Sequence, residues 1–574
     1  MIRNHTAARL SLGKGFRFIV LLAAMTVALA AASLPGQGVL VHLNLADVAA
    51  FNLRHTTLSL RLNPTRDLYL VTATDGRTDQ QLLTEIQTDP VASNPILNAP
   101  VTMTLPALDG QSTASVLNGS TSTSTSTSTS TTTSGGLLGA LLQPVLKLAG
   151  NLLNPLLGTV LNIQINTGGS ISSGGLLNSQ PTYFYGSVVP QAYPNQPTVS
   201  QISAGASAHN LATGQSIEVA LIDNGLDPFN PVLMGVTDGS HGHNFYDNSA
   251  NWSAYADLAD GPAGGSNLDG QSTASVLNGQ STASVLNGQS TASVLNGSTC
   301  QQQFGADGSR LNQSTASVLN GQSTASVLNS EDSATVISEL NIILACDPEF
   351  GHGTSVAGLI HLVAPKAKIL PIKAFGPGGS ADVAAIYQSI TYAIDQHVQV
   401  MNLSFSATAA SPVIEAAIRE AVQDGIVVVA AAGNDGVSTA VYPASLPGVA
   451  GAGAVDGTQA GFPRAPYSNF DPAPGIIENA AVAAPGTSVF TTYPGGGQIW
   501  ATATGTSFST PLIAGEAALL AQLHQTGPAA LRLMENTANP AITGDAHGEL
   551  GHGMVNVESA LRSASPSLLS WLFW

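Results

Sequence analysis

Residues 369–406, ILPIKAFGPGGSADVAAIYQSITYAIDQHVQVMNLSFS, read as strand, helix, strand. The run 369–374 is short and apolar, 381–396 carries its apolar residues at helical spacing, and 398–404 is again a short apolar run. The same alternation extends outward on both sides, with strand-like runs at 218–222, 425–431 and 449–455 and a helical stretch at 413–423. Strands that alternate with helices pack as a parallel sheet covered by helices on both faces. The expectation is an α/β fold, a doubly wound and mostly parallel sheet, over residues 196–561.

The chain has 574 residues, too many for one compact core, so two or more units are expected. Only 9% of the residues are charged, and the net charge is -18. That balance excludes a nucleic-acid partner, because phosphate binding needs clustered Lys and Arg. Arg3, Arg9, Lys14 and Arg17 precede an apolar run at 18–32 with small residues at Ala30 and Ala32, which reads as a signal peptide over 1–32. The run is short for a membrane-spanning helix, which needs about 20 residues. An exported chain, secreted, periplasmic or at the cell surface, is expected. Export permits a disulfide, and Cys300 and Cys346 are the two cysteines available for one.

Between the N-terminal run and the sheet-forming region the composition shifts twice. Residues 38–99 read as a small α/β unit, with strands at 39–45 and 68–74 and helices at 46–53 and 80–86. Residues 100–195 hold a Ser/Thr tract at 120–134, which has nothing apolar to bury and reads as a linker, and an apolar segment at 137–163. Pro144, Lys147 and Pro155 rule out one continuous membrane helix there. A surface-associating segment and a pair of short packed helices both remain open for it, so membrane association stays undecided. The octapeptide QSTASVLN begins at Gln111, Gln271, Gln280, Gln289, Gln313 and Gln322. Each copy offers only Val and Leu as large apolar side chains, too little for a core, so the repeats read as an expansion in an exposed loop, with most of them in an insertion at 262–335. A tail at 562–574 closes the chain.

Four local patterns carry chemistry. SIEVALIDNGLDP ends a buried strand on Asp223 and turns at once through Asn224 and Gly225, and strand ends are where open α/β sheets place their sites. GHGTSVAGLI brackets His352 with glycines at the start of a helix of small residues. GTSFSTPLIAG puts Ser507 at a helix start, with Pro511 expected in the first turn, where free N–H groups and the helix dipole favour an anion. VVVAAAGNDG ends a strand at Gly433 and Asn434, and Asn is a poor strand residue whose amide suits an oxyanion donor. Alone, each has a plainer reading as a turn or a cap. His552 sits in a similar Gly-His-Gly without a following helix and reads as structural, and His241 with His243 lacks further metal ligands, so no metal is assigned.

Together and in this order the four patterns resemble the subtilisin-like serine proteases, with APYSNF, VAAPGTSV and GHGMVNVESAL adding to the likeness. The order Asp, His, Ser is the one known for subtilisin. The resemblance implies Ser507 as nucleophile, His352 as general base and then acid, Asp223 as the carboxylate that orients the imidazole, and Asn434 with the Ser507 N–H as oxyanion donors. It also implies a peptide bound in extended form along Gly376, Ser404, Phe405, Ser406 and Gly433. Substrates would be proteins or peptides. No cofactor is required for that chemistry; structural calcium is a habit of the family, and no ligand loop for it is located.

Three departures stand out. Asn224 occupies a position usually held by Ser or Thr, Phe508 one often held by Met, and all of residues 224–351 separate Asp223 from His352 where the family has a short connection. Loop-closure entropy rises slowly with length, so the triad survives such an insertion. The unit at 38–99, especially DLYLVTATDG and QLLTEIQTDPVAS, resembles the family's propeptide, which implies a zymogen matured between residues 170 and 201 with its own propeptide as a partner.

Overall fold

A computed structural model of the protein describes residues 37–102, 181–256, 349–471, 479–494, 499–540 and 548–565. The signal-like run, the Ser/Thr tract, the apolar segment, the repeats, Cys300, Cys346 and all but the first residues of the tail lie outside the described residues. The chain divides into two compact units, the described part of the smaller formed by residues 37–61 together with Asp67–Ala99.

The smaller unit is an antiparallel sheet with two helices. Its elements are β1 (Val39–His42), α1 (Val48–His55), β2 (Thr57–Arg61), β3 (Leu68–Ala73), α2 (Asp79–Ile86) and β4 (Ser93–Leu97), with strand order β2-β3-β1-β4. Alternation puts Val39 and Val41 on one face, where they meet Phe51, Val71, Leu82 and Ile86 in a dry core. A capping box starts α2: Thr78 Oγ1 accepts the Gln81 N–H at 3.3 Å, and Gln81 Oε1 accepts the Thr78 N–H at 2.9 Å. Sequence reading anticipated β1, β3 and both helices but passed over β2 and β4. β2 is a half-exposed TLSLR alternation, and β4, SNPIL, has no buried residue to signal it.

In the larger unit the elements run β5 (Pro100–Thr102), β6 (Pro181–Phe184), β7 (Ser187–Pro190), α3 (Pro197–Gln201), α4 (Ala206–His209), β8 (Glu218–Asp223), β9 (His243–Asn244), α5 (His352–Val363), β10 (Lys368–Lys373), β11 (Ser380–Asp382), α6 (Val383–Asp395), β12 (Val400–Leu403), α7 (Pro412–Gln423), β13 (Val427–Ala431), β14 (Ala450–Val455), β15 (Val482–Pro485), β16 (Val489–Tyr493), β17 (Ile499–Ala503), α8 (Thr506–Gln522), α9 (Gly527–Thr537) and α10 (Val557–Ala564). Seven strands form one sheet in the order β15-β14-β13-β12-β8-β10-β9, and every pairing in it is parallel. This is the doubly wound sheet expected from residues 369–406. The chain moves one way from β8 to β10 and the other way from β10 through β12 to β15. With right-handed crossovers that reversal puts α5 on one face and α6 and α7 on the other, and α5 packs with α8 while α6 packs with α7.

Buried on both faces, the central strands are almost wholly apolar: β13 is VVVAA and β14 AGAGAV, with every residue out of solvent. The core also reaches further back along the chain than residue 196. Phe184, Val189 and Tyr193 are buried in the same cluster as the sheet residues, and Tyr193 Oη donates to the Gly358 carbonyl.

Candidate active site

The strand reversal lies at β8, the place where open parallel sheets form a crevice at their C-terminal ends. Asp223, the last residue of β8, is 1% exposed. Beside it in register is Lys373, whose Nζ donates to the Asn224 and Phe375 carbonyls at 2.7 Å each and so ties the chain leaving β8 to the chain leaving β10.

His352 opens α5, and two contacts press that helix start onto the turn after Asp223. A Cβ at Gly353 would collide with the Gly225 carbonyl oxygen, so only glycine permits the approach. Asn224 spans the same junction, accepting the Gly353 N–H at 3.1 Å and donating through Nδ2 to the Glu349 carbonyl. The residue that departs from Ser or Thr therefore stitches the two motifs together. As a result His352 Nδ1 lies 2.8 Å from Asp223 Oδ1, with both side chains buried, and the same oxygen accepts the Asn224 N–H at 2.8 Å. The carboxylate makes Nδ1 the donor. Nε2, on the other side of the ring, is buried without a hydrogen-bond partner.

Ser507 lies in the first turn of α8, behind Gly505. Pro511 is inside the helix, not in its first turn as expected from the sequence. It has no N–H to give the carbonyl four residues back, which is that of Ser507. Ser404 supplies the missing donor, its hydroxyl reaching the Ser507 carbonyl at 2.9 Å while accepting Asn402 Nδ2 at 2.9 Å. In return the Ser507 hydroxyl donates to the Ser404 carbonyl at 3.0 Å. The next side chain, Phe508, stacks obliquely on His352 with ring centroids 5.3 Å apart, which puts the start of α8 against the imidazole.

Asn434 follows β13 and faces the same helix start. Its Oδ1 accepts both the N–H of Thr506, at 2.8 Å, and the Thr506 hydroxyl, at 2.9 Å, which directs Nδ2 away from Thr506. Gly433, at φ +93°, accepts no larger residue: a Cβ there would run into Asn469 Nδ2 and lie 3.2 Å from Ser406 Oγ.

The other expected binding residues separate into two groups. Ser404, Ser406 and Gly433 gather around the start of α8, whereas Gly376 lies against the Tyr246 ring and Phe405 packs its ring on Phe375 at 4.9 Å. The extended edge that the resemblance implies at Gly376 begins later in the chain. Pro377–Gly379 forms a 3₁₀ turn and the strand is β11, which pairs antiparallel with β5 through Ala381 and Val101.

His552 is exposed in a turn whose N–H donates to the Ala481 carbonyl, and His241 pairs on the surface with Asp238 at 2.8 Å. Among the described residues no three His, Cys, Asp or Glu side chains are placed to hold a metal ion, and no calcium site is derived. Sequence reading missed Lys373, Thr506 and Asn402. The visible signal for the first is a lysine closing the apolar run of β10; Thr506 has none, because its partner Asn434 lies 72 residues away, and Asn402 is a polar residue in an apolar strand, two residues from its partner Ser404.

The fold and this set of side chains place the chain among known proteases of one class. The subtilase family model matches residues 214–553. Subtilisin Savinase of Lederbergia lenta is 35% identical over 221 residues, which cover 37% of this chain and 78% of that protein. An alkaline protease of Shouchella clausii is likewise 35% identical over 221 residues, and the match spans 55% of its length. Among solved structures, fervidolysin from Fervidobacterium pennivorans, a keratinolytic enzyme related to subtilisin, aligns with TM-score 0.55 and 18% identity over 94% of this chain and 62% of its own, a likeness of fold. The chain belongs to the subtilase family.

Proposed function

We propose that this protein is an exported serine endopeptidase that cleaves peptide bonds through an acyl-enzyme and is made as a self-processed precursor. The observation that carries the reading is the buried 2.8 Å contact of Asp223 Oδ1 with His352 Nδ1 beside the helix start that holds Ser507. In the reaction the Ser507 hydroxyl turns from the Ser404 carbonyl to His352 Nε2, gives up its proton there and attacks the substrate carbonyl carbon. The carbonyl oxygen becomes an oxyanion, which takes hydrogen bonds from Asn434 Nδ2 and the Ser507 N–H, a first-turn group with no intrahelical acceptor. Imidazolium, stabilised by Asp223, returns the proton to the leaving amine, and water repeats the sequence to release the acid.

Recognition by strand addition is supported by the protein's own chain, since β5 already lies as an antiparallel strand on β11. A substrate in extended form takes the same kind of place. The small unit at 38–99 serves in this reading as the propeptide. The burial of Phe184 and Val189 in the main core favours a mature start on the N-terminal side of β6.

Purified secreted protein and a Ser507→Ala variant, each given casein and a generic peptide amide, test the proposal. Hydrolysis by the first alone is expected. Equal hydrolysis by both, or none by either, overturns it. N-terminal sequencing of the secreted product tests processing, and a product beginning within β6 or later overturns the placement of the mature start.

A further inference from the structure

We propose that Asn469 is a positioning residue for the oxyanion donor Asn434, holding the chain on both sides of it; the inference rests on the protease reading above. Asn434 sits in the loop beyond the end of β13, outside the ladder of the sheet. The backbone N–H of Asn469 donates to the Gly433 carbonyl at 2.9 Å, just before Asn434. The Asn469 side-chain Oδ1 accepts the N–H of Asp435 at 3.0 Å, just after it, and that of Val437 at 3.1 Å. Flanking bonds complete the zipper, from the Gly436 N–H to the Tyr467 carbonyl at 2.7 Å and from the Phe470 N–H to the Val437 carbonyl at 3.1 Å.

The division of labour follows from these contacts. Thr506 sets the side-chain rotation of Asn434, and Asn469 sets the backbone frame from which that side chain springs. An oxyanion donor acts only when its hydrogen lies where the charge develops, so a shift of the frame is a loss of rate rather than of substrate binding. Asn469 is wholly buried, and its Nδ2 has no partner. A buried donor left unpaired is unfavourable. Its retention is accounted for by the other end of the same amide, which accepts two N–H groups at once.

A double-mutant cycle tests the coupling. Full-length protein is expressed and matured as wild type, Asn469→Ala, Asn434→Ala and the double variant, with Asn469→Ser as a milder change whose hydroxyl is too short to reach both N–H groups. Active sites are counted by saturating a fluorophosphonate label on Ser507. Asn434→Ala is expected to lower kcat by about 10²–10³, and Asn469→Ala by roughly tenfold or more, with KM changed less than about threefold. In the Asn434→Ala background the further loss from Asn469→Ala is expected to be under about twofold, because coupled residues do not add. Wild-type kcat in Asn469→Ala, an equal loss in both backgrounds, or a loss confined to KM overturns the inference. If Asn469→Ala yields no labelled protein, the same cycle with Asn469→Ser decides by the same outcomes. An active wild type with an uncoupled Asn469 removes this inference alone, whereas a wild type that hydrolyses nothing removes the protease reading as well.

Discussion

Ser404 and Ser507 hold each other twice: the Ser404 hydroxyl donates to the Ser507 carbonyl at 2.9 Å, and the Ser507 hydroxyl donates to the Ser404 carbonyl at 3.0 Å. The first bond repairs the gap that Pro511 leaves in α8. Ser404→Ala leaves a buried carbonyl unpaired, and a loss of about 1–3 kcal/mol in stability is expected. Urea denaturation in the Ser507→Ala background, which removes self-digestion, measures it. An unchanged midpoint would show that the helix finds another donor.

Asp223 makes Nδ1 of His352 the protonated nitrogen, and the exchange of carboxylate for amide removes that preference without changing shape. Asp223→Asn is expected to lower kcat by roughly 10⁴, the scale set by loss of the correct tautomer in serine proteases. Active-site-normalised hydrolysis of a peptide amide reads it, and a loss smaller than tenfold would count against the assigned role.

Glu516 lies wholly buried in α8 with neither carboxyl oxygen hydrogen-bonded, and desolvation pushes its pKa from 4.5 up to about 8. A carboxyl whose folded pKa is raised contributes stability that is full below the unfolded value and is lost as pH rises through the folded one. Stability is therefore expected to fall between about pH 4.5 and pH 8 by a few kcal/mol, at ~1.4 kcal/mol per pH unit. Glu516→Gln, compared in the Ser507→Ala background by denaturation from pH 5 to pH 9, should flatten that slope. Parallel curves would sink the assignment.

Phe508 packs on His352 where a methionine would present an oxidisable sulfur. Mild peroxide is expected to leave most of the activity in place, and Phe508→Met to make activity decay under the same treatment. Rapid loss in the unaltered protein, with oxidation mapped by mass spectrometry to the segment around Ser507, would contradict this.

Much of the candidate site is legible in the sequence. Asp223, His352, Ser507 and Asn434 each lie in a local pattern with glycine nearby, which lets strand ends and helix starts approach closely, and it is the four patterns together that mark the site. The edge strand was harder. The family resemblance implies extended chain at Gly376, yet Pro377–Gly379 form a 3₁₀ turn and the strand is Ser380–Asp382. Pro511 misled for a related reason: proline suits the first turn of a helix, and its place inside α8 is tolerated because Ser404, 103 residues away, supplies the missing hydrogen bond.

By itself the sequence determined the parallel α/β sheet, since apolar runs of strand length alternating with amphipathic helices have few other ways to bury both faces. It also marked the residues that the proposed chemistry uses. Tertiary structure alone decided how they are held: Lys373 clasping the Asn224 carbonyl, Asn224 joining Gly353 to Glu349, and Thr506 and Asn469 bracing Asn434 from two sides. Each of these is a directional hydrogen bond, most of them between groups far apart in the chain, and no local pattern of hydrophobicity or turn preference encodes which distant partner will face a buried donor.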